Sequence, residues 1–190
     1  MASFDRAEME EMVARWLEAN RLAEENKDWS QIGSFYTDDA NYGWAMGHDF
    51  EVVVQGRDEI ERVVLGVEMV GFDQDEWMYP YPRIVLDEVQ GEVCGFWRQI
   101  AGGKPRPDGS VYEVNGIGGS WMRYAGDFKW SWQRDFFDSG NMTALFAEMQ
   151  ANGDLPPGLT KRFEDQAKNP ERADYYYPRG KGPIPQWPED

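Results

Sequence analysis

The stretch "KWSWQRDFFDSG", Lys129 to Gly140, alternates large aromatic residues with polar ones and ends in turn chemistry. Alternation of this kind marks a β-strand, in which side chains two apart share a face. Trp130, Trp132, Arg134 and Phe136 then point one way, and Ser131, Gln133, Asp135 and Phe137 the other. Neither set suits plain solvent. Either the tryptophans line the core and Asp135 is wet, or Asp135 faces a cavity and the tryptophans need another cover.

Working backward, "PRIVLDEV" and "GEVCGFWRQIAG" keep the period of two and meet at a Gln90-Gly91 turn. "KPRPDGS" is a further turn, and "VYEVNGIGGSWMRYAG" completes a four-strand meander with Lys129–Phe137. Gly116, Gly118, Gly119 and Gly126 mark bends or bulges, which curl a sheet. Upstream the period is helical. Apolar residues recur from Phe4 to Ala23, interrupted by Asn20, and a short helix is expected over Trp29 to Phe35. "ANYGWAM" reads as a short strand. "HDFEVVVQGRDEIERVVLGVEMVG" follows, with Asp58 near the start of an amphipathic helix running through Val67.

Downstream, Ser139 is placed to cap a helix over "NMTALFAEMQ", and "LTKRFEDQAKN" is expected to form a last one. "ADYYYPRGKGPIPQWPED" is too proline-rich for regular structure and too aromatic for a free linker; it is expected to lie on its own domain or a neighbour. The order predicts an α+β fold, helices against one side of a curved antiparallel sheet with an apolar cavity between them. The domain is expected over 1–150, with an extension over 151–190.

Composition narrows the partners. The net charge of −16, from 35 acidic and 19 basic residues, repels phosphate backbones and anionic membranes, so neither nucleic acid nor membrane is an expected partner. Nine tryptophans and an aromatic share of 15% fill cores, and they also wall apolar pockets and interfaces. The single cysteine, Cys94, fits a reducing compartment. There is no run of apolar residues long enough to span a bilayer and no signal-like start, so a cytoplasmic location is expected. With one histidine and one cysteine, no metal site is expected. "GIGG" lacks the strand-turn-helix setting of a phosphate loop.

"FYTDDANYGWAMG", "QGRDEIERVV", "GEVCGFWRQIAG" and "WQRDFFD" resemble the NTF2-like, or SnoaL-like, α+β cone superfamily over about residues 5 to 150. The resemblance implies a cone of three helices on a curved sheet, no cofactor, and a hydrophobic small-molecule ligand. It spans ketosteroid isomerases, scytalone dehydratases, limonene-type epoxide hydrolases, polyketide cyclases and a diarylpropane lyase, so fold alone names no reaction. Matched position by position, the isomerases' base falls on Trp44 and their oxyanion-hole acid on Ser120. The dehydratases' two histidines fall on Met78 or Tyr79 and on Gly103. Of the epoxide-hydrolase set, the last aspartate falls on Asp135 and the tyrosine on Tyr42, but the remaining positions hold Trp97, Gln99 and Trp44.

By that match Asp135 and Gln133 face the cavity, and Trp130, Trp132 and Phe136 lie outside. There a homo-oligomer, dimer or trimer, or the aromatic tail would cover them. The catalytic set implied is Asp135 moving a proton, with Tyr42 and His48, in the loop "AMGHDF", polarising a hydroxyl or carbonyl. The substrate-contact set is Asn20, Trp44, Tyr79, Tyr81, Trp97, Gln99, Tyr112, Ser120, Gln133 and Phe137. Each has a plainer reading: Asp135 as half of an ion pair, Tyr42 as a core tyrosine, Asn20 as a boundary residue, His48 as an exposed loop residue. The activity implied is a lyase (dehydration or retro-aldol type) or isomerase on a ring-containing molecule. An epoxide hydrolase or a non-catalytic binder is the alternative.

Overall fold

The computed structural model describes residues 4–69, 77–168 and 174–188. Helix α1 (Arg6–Asn26) starts where the Asp5 carboxylate accepts from the Ala7 and Glu8 amides. It stops at Lys27, which turns left-handed at φ 55°. Its inward stripe is Met9, Met12, Val13, Trp16 and Ala23. A 3-10 turn (Ser30–Phe35) leads into strand β1 (Tyr36–Met46), which folds back as β2 (Phe50–Gln55). Helix α2 opens as an α-helix at Arg57–Glu59 and continues as a π-helix over Ile60–Glu68. Then come β3 (Trp77–Met78), β4 (Arg83–Asp87), β5 (Glu92–Trp97), β6 (Ile100–Ala101), β7 (Gly118–Gly126) and β8 (Lys129–Phe136). Helices α3 (Ser139–Asn152) and α4 (Pro157–Lys168) follow, and β9 (Tyr176–Pro178) ends the order.

The main sheet runs β4-β5-β7-β8-β1-β2-β9, while β3 and β6 pair separately. Strands β1 and β8 are parallel and the other pairs antiparallel. The meander is therefore present, and α1, the 3-10 turn and α2 pack on one face of the sheet to form the main core. The expected α+β architecture holds, with differences at particular elements. Strand β2 is additional: Glu51, Val52, Val53 and Val54 are all buried, so no alternation announces it. The third meander strand begins only at Gly118. Helix α3 is capped by Asp138, whose carboxylate accepts from the Asn141 amide at 2.9 Å, rather than by Ser139.

One correction concerns Lys129–Gly140 itself. Trp132 pairs with Arg123 but Trp130 pairs with Tyr124, so Ser131 is an extra residue, a β-bulge. The bulge flips the phase of the strand. Trp130 joins the inner core, fully buried and edge-on to Trp16 at 6.2 Å and Tyr124 at 5.9 Å. Only Trp132, Arg134 and Phe136 keep the outer face. A rigid period of two misplaces Trp130.

The chain's own extension covers part of that outer face. Trp132 packs against Trp121 at 5.2 Å, and Trp187 of the tail meets Trp121 at 5.5 Å. The Arg134 guanidinium, passing over Gly43, donates to the carbonyls of Ile184 and Pro185 at 3.3 and 3.2 Å. Glu51, 2% exposed, accepts from the Gly182 amide at 2.8 Å and the Gln186 amide at 3.4 Å. The tail also contains regular structure, because Tyr176–Pro178 pairs along β2 as an edge strand.

A second core joins Trp77, Tyr112, Leu145, Phe146, Met149 and Leu159. At its centre the Tyr112 hydroxyl donates to Asp154 Oδ2 at 2.9 Å and accepts from Asn152 Nδ2 at 2.9 Å. Lys104 pairs with the same carboxylate.

Candidate active site

The inner ladders of the sheet assemble the site. Gly95, Ser120, Asp135 and Trp44 lie side by side across β5, β7, β8 and β1. One step along, Met122, Gln133 and Tyr42 do the same. Asp135 thus has Ser120 and Trp44 beside it on the neighbouring strands and Tyr42 on the diagonal, within reach of a long side chain. Gly95 is needed here, since a Cβ would sit 2.9 Å from the Tyr81 ring. Gly118 does the same for Trp97, whose ring comes within 2.2 Å of where a Cβ would be.

Hydrogen bonds converge on the carboxyl. The Tyr42 hydroxyl donates to Asp135 Oδ2 at 2.5 Å and Gln133 Nε2 donates to Oδ1 at 2.8 Å. The Tyr36 hydroxyl donates to Gln133 Oε1 at 2.6 Å, which sets the amide so that its N–H groups face Asp135. Ser120 Oγ accepts from Trp97 Nε1 at 3.2 Å and lies 3.2 Å from the Tyr81 hydroxyl. Burial pushes the Asp135 pKa up, against a downward pull from Tyr42, Gln133 and Ser120. Burial first, and the Asp135 charge second, hold Tyr36, Tyr42 and Tyr81 above the ordinary phenol range. The tyrosines stay protonated donors, and the carboxyl is shifted toward its neutral form.

Asp135 is enclosed by protein yet keeps surface open to a cavity of about 150 Å³. The helices close it with Trp16, Asn20, Val64, Leu65 and Glu68, and the sheet with Tyr36, Tyr42, Trp44, Trp97, Gln133 and Asp135. Trp29, Ile32, Met46, Met69, Tyr79, Tyr81, Gln99, Phe137 and Met142 complete the wall. Asn20 is oriented by its own helix, donating from Nδ2 to the Trp16 carbonyl at 2.8 Å. Among the described residues no cluster of three or more His, Cys, Asp or Glu side chains is arranged to hold a metal ion, and no helix is long and apolar enough to cross a membrane.

No family model and no curated protein sequence matches the chain. Solved structures do. An NTF2-like protein from Anabaena variabilis is similar at TM-score 0.51 and 14% identity, over 73% of this chain and 95% of that one. A putative SnoaL-like polyketide cyclase from Shewanella putrefaciens is similar at TM-score 0.52 and 11% identity, over 73% and 85%. SalBIII, an epoxide hydrolase/cyclase-like enzyme with a role in pyran ring formation in the polyether salinomycin, is similar at TM-score 0.51 and 15% identity, over 72% and 95%. The chain has the NTF2-like fold.

Within this NTF2-like cone, most of the residues singled out from sequence come together. Asn20, Tyr42, Trp44, Tyr79, Tyr81, Trp97, Gln99, Gln133, Asp135 and Phe137 all line the cavity, and Ser120 stands just behind its surface. Two do not. His48 sits on the exposed turn between β1 and β2, outside the lining, because the hairpin carries it past the rim. Tyr112 is spent in the second core on Asp154. Sequence reading missed Tyr36 and Glu68. Tyr36 lies before the strand read from the sequence and beyond a register shift in β1, so strand parity did not reach it. Glu68 gave no signal, since a π-helix breaks the 3.6-residue period that would place it.

Proposed function

We propose that this protein is a general acid–base enzyme, a lyase or isomerase that needs no cofactor and acts on a hydrophobic ring-containing small molecule. The observation that carries this reading is the Asp135 carboxyl: enclosed, pushed toward its neutral form, held by Tyr42 and Gln133, and open to an aromatic cavity. In a dehydration, Asp135 gives its proton to a departing hydroxyl and the C–O bond breaks to release water. The carboxylate left behind takes a proton from the neighbouring carbon as the double bond forms, which restores the acid. In an isomerisation the same group takes a proton from one carbon and returns it to another. Tyr42, a neutral phenol, donates to whichever oxygen carries negative charge at the time.

A cavity of about 150 Å³ suits one ring buried at the inner end, with any larger part of the substrate toward the mouth. His48 has no role in this mechanism, given its place on the exposed turn. Ring closure or epoxide opening is the second reading. Its support is the pairing of Asp135 with Tyr42, the two positions matched from the epoxide-hydrolase set, together with the likeness to SalBIII.

The experiment is a turnover screen of cyclic alcohols, enones and epoxides in water labelled with ¹⁸O, with Asp135→Asn beside the wild type. Label in the product selects hydrolysis, and an Asp135→Asn variant with full turnover overturns the acid–base reading. For assembly, the reading is a homo-oligomer meeting on the outer face beyond the tail. There Val85 is 58% exposed and Phe136 39%, and sedimentation as a monomer at all concentrations overturns it.

A further inference from the structure

The charges around the cavity identify the class of ligand. Two carboxyls stand on its wall, Asp135 and Glu68, the latter accepting from the Tyr176 hydroxyl at 3.3 Å, and among the described residues no Lys, Arg or His lines it. The cation next to Asp135 in sequence, Arg134, is turned to the opposite face of the sheet and donates to tail carbonyls. Asp135 is held by neutral donors, the Tyr42 hydroxyl and the Gln133 amide. A buried carboxylate favours whatever restores charge balance, either a proton or a positive ligand.

The rest of the wall points the same way. Four indoles line it, those of Trp16, Trp29, Trp44 and Trp97. The face of an aromatic ring carries negative potential and attracts an ammonium group, most strongly where water is excluded. At long range the net charge of −16 raises the local concentration of cations and lowers that of anions. Among the described residues, an anionic ligand meets no cationic side chain on this wall. Its carboxylate or phosphate would sit beside acids in a low-dielectric pocket, where like charges repel strongly.

Resting on the reading of this cavity as the ligand site, we propose that it selects by charge. A ring bearing a protonated amine binds best, its neutral analogue binds less well, and an anionic analogue is rejected. Phosphorylated and carboxylated metabolites are thereby excluded as substrates.

The test is calorimetry with 2-phenylethylamine, 2-phenylethanol and phenylacetate at slightly alkaline pH and physiological ionic strength. These three carry the same single ring and differ in charge. The amine is expected to bind roughly tenfold tighter than the alcohol, and phenylacetate more weakly than either. In Asp135→Asn the ratio of amine to alcohol affinity should fall severalfold, whatever the change in the affinity of the alcohol itself. The wild-type series decides the order by itself if that variant does not fold. Equal affinities, or a preference for the acid, overturn charge selection and leave the apolar cavity reading standing. An amine advantage undiminished in both Asp135→Asn and Glu68→Gln overturns it too, because neither carboxyl of the wall then reads the charge. Binding of none of the three overturns both readings.

Discussion

Asp135 and Asp154 are both enclosed, and each accepts a hydrogen bond from a tyrosine, Tyr42 and Tyr112 respectively. Their pKa values nevertheless move in opposite directions. Asp154 has Lys104 as a partner, and that hydrogen-bonded cation, helped by Tyr112, holds the carboxyl below the ordinary range. Asp135 has only neutral donors, which do not offset burial, so its pKa rises. Two things differ, the cation beside Asp154 and the heavier desolvation of Asp135. They separate a carboxylate that ties a loop to the end of a helix from a carboxyl shifted toward its neutral form beside a cavity.

The largest test of this contrast is paired amide substitution. Asp135→Asn should lower turnover by roughly 10²- to 10⁴-fold, the usual range for a lost proton carrier. Asp154→Asn should leave turnover unchanged and lower the denaturation midpoint instead. Equal losses of activity in the two would abolish the distinction.

The tyrosines give the next pair. Tyr42→Phe should reduce turnover by about 10²-fold, the scale of one lost donor to a developing oxyanion. It should also move to higher pH the alkaline limb of the pH–rate profile, where the dehydration loses its protonated Asp135, because the Tyr42 hydrogen bond lowers the Asp135 pKa. Tyr112→Phe should weaken folding and leave the profile where it is.

The pH dependence of stability sharpens the contrast further. The folded pKa of Asp135 is raised, so its contribution to stability is full below the ordinary carboxylate pKa and is lost as pH rises through the raised value. Asp154 is depressed, so its contribution is present above the ordinary pKa and is lost as pH falls through the lowered value. Denaturant midpoints measured across pH should show Asp135→Asn flattening only the decline on the higher-pH side and Asp154→Asn only the acid one.

The smallest expected effect is that of Lys104→Met. It should erode the acid-side stability associated with Asp154 and leave ligand affinity in the cavity untouched, as titration of the two properties in one variant would show.

The meander was legible because β4, β5 and most of β7 alternate between a covered inner face and a more open outer one, whereas the inward direction of Asp135 came from the family resemblance, since Trp132, Gln133 and Arg134 are buried in a row and alternation leaves the choice open. Strand β2 was not, since the main core and the tail bury both of its faces and Val52, Val53 and Val54 read as a continuous apolar run. Trp130 was misplaced because an inserted residue leaves no trace in composition. Half of the cavity wall was named from the sequence, largely at the positions that the family resemblance marks. The fates of His48 and Tyr112 depend on where a hairpin ends and on which helix packs nearby, and local spacing encodes neither.

The bulge at Ser131 leaves β8 as two half-strands with independent phase. The half that begins at Trp130 anchors the core, and the half that ends at Asp135 presents the acid. Removing Ser131 would turn the indole of Trp130 out of the core while the segment from Trp132 onward could keep its pairing. Substitutions that alter reactivity can therefore accumulate at one end of the strand without disturbing the anchor at the other.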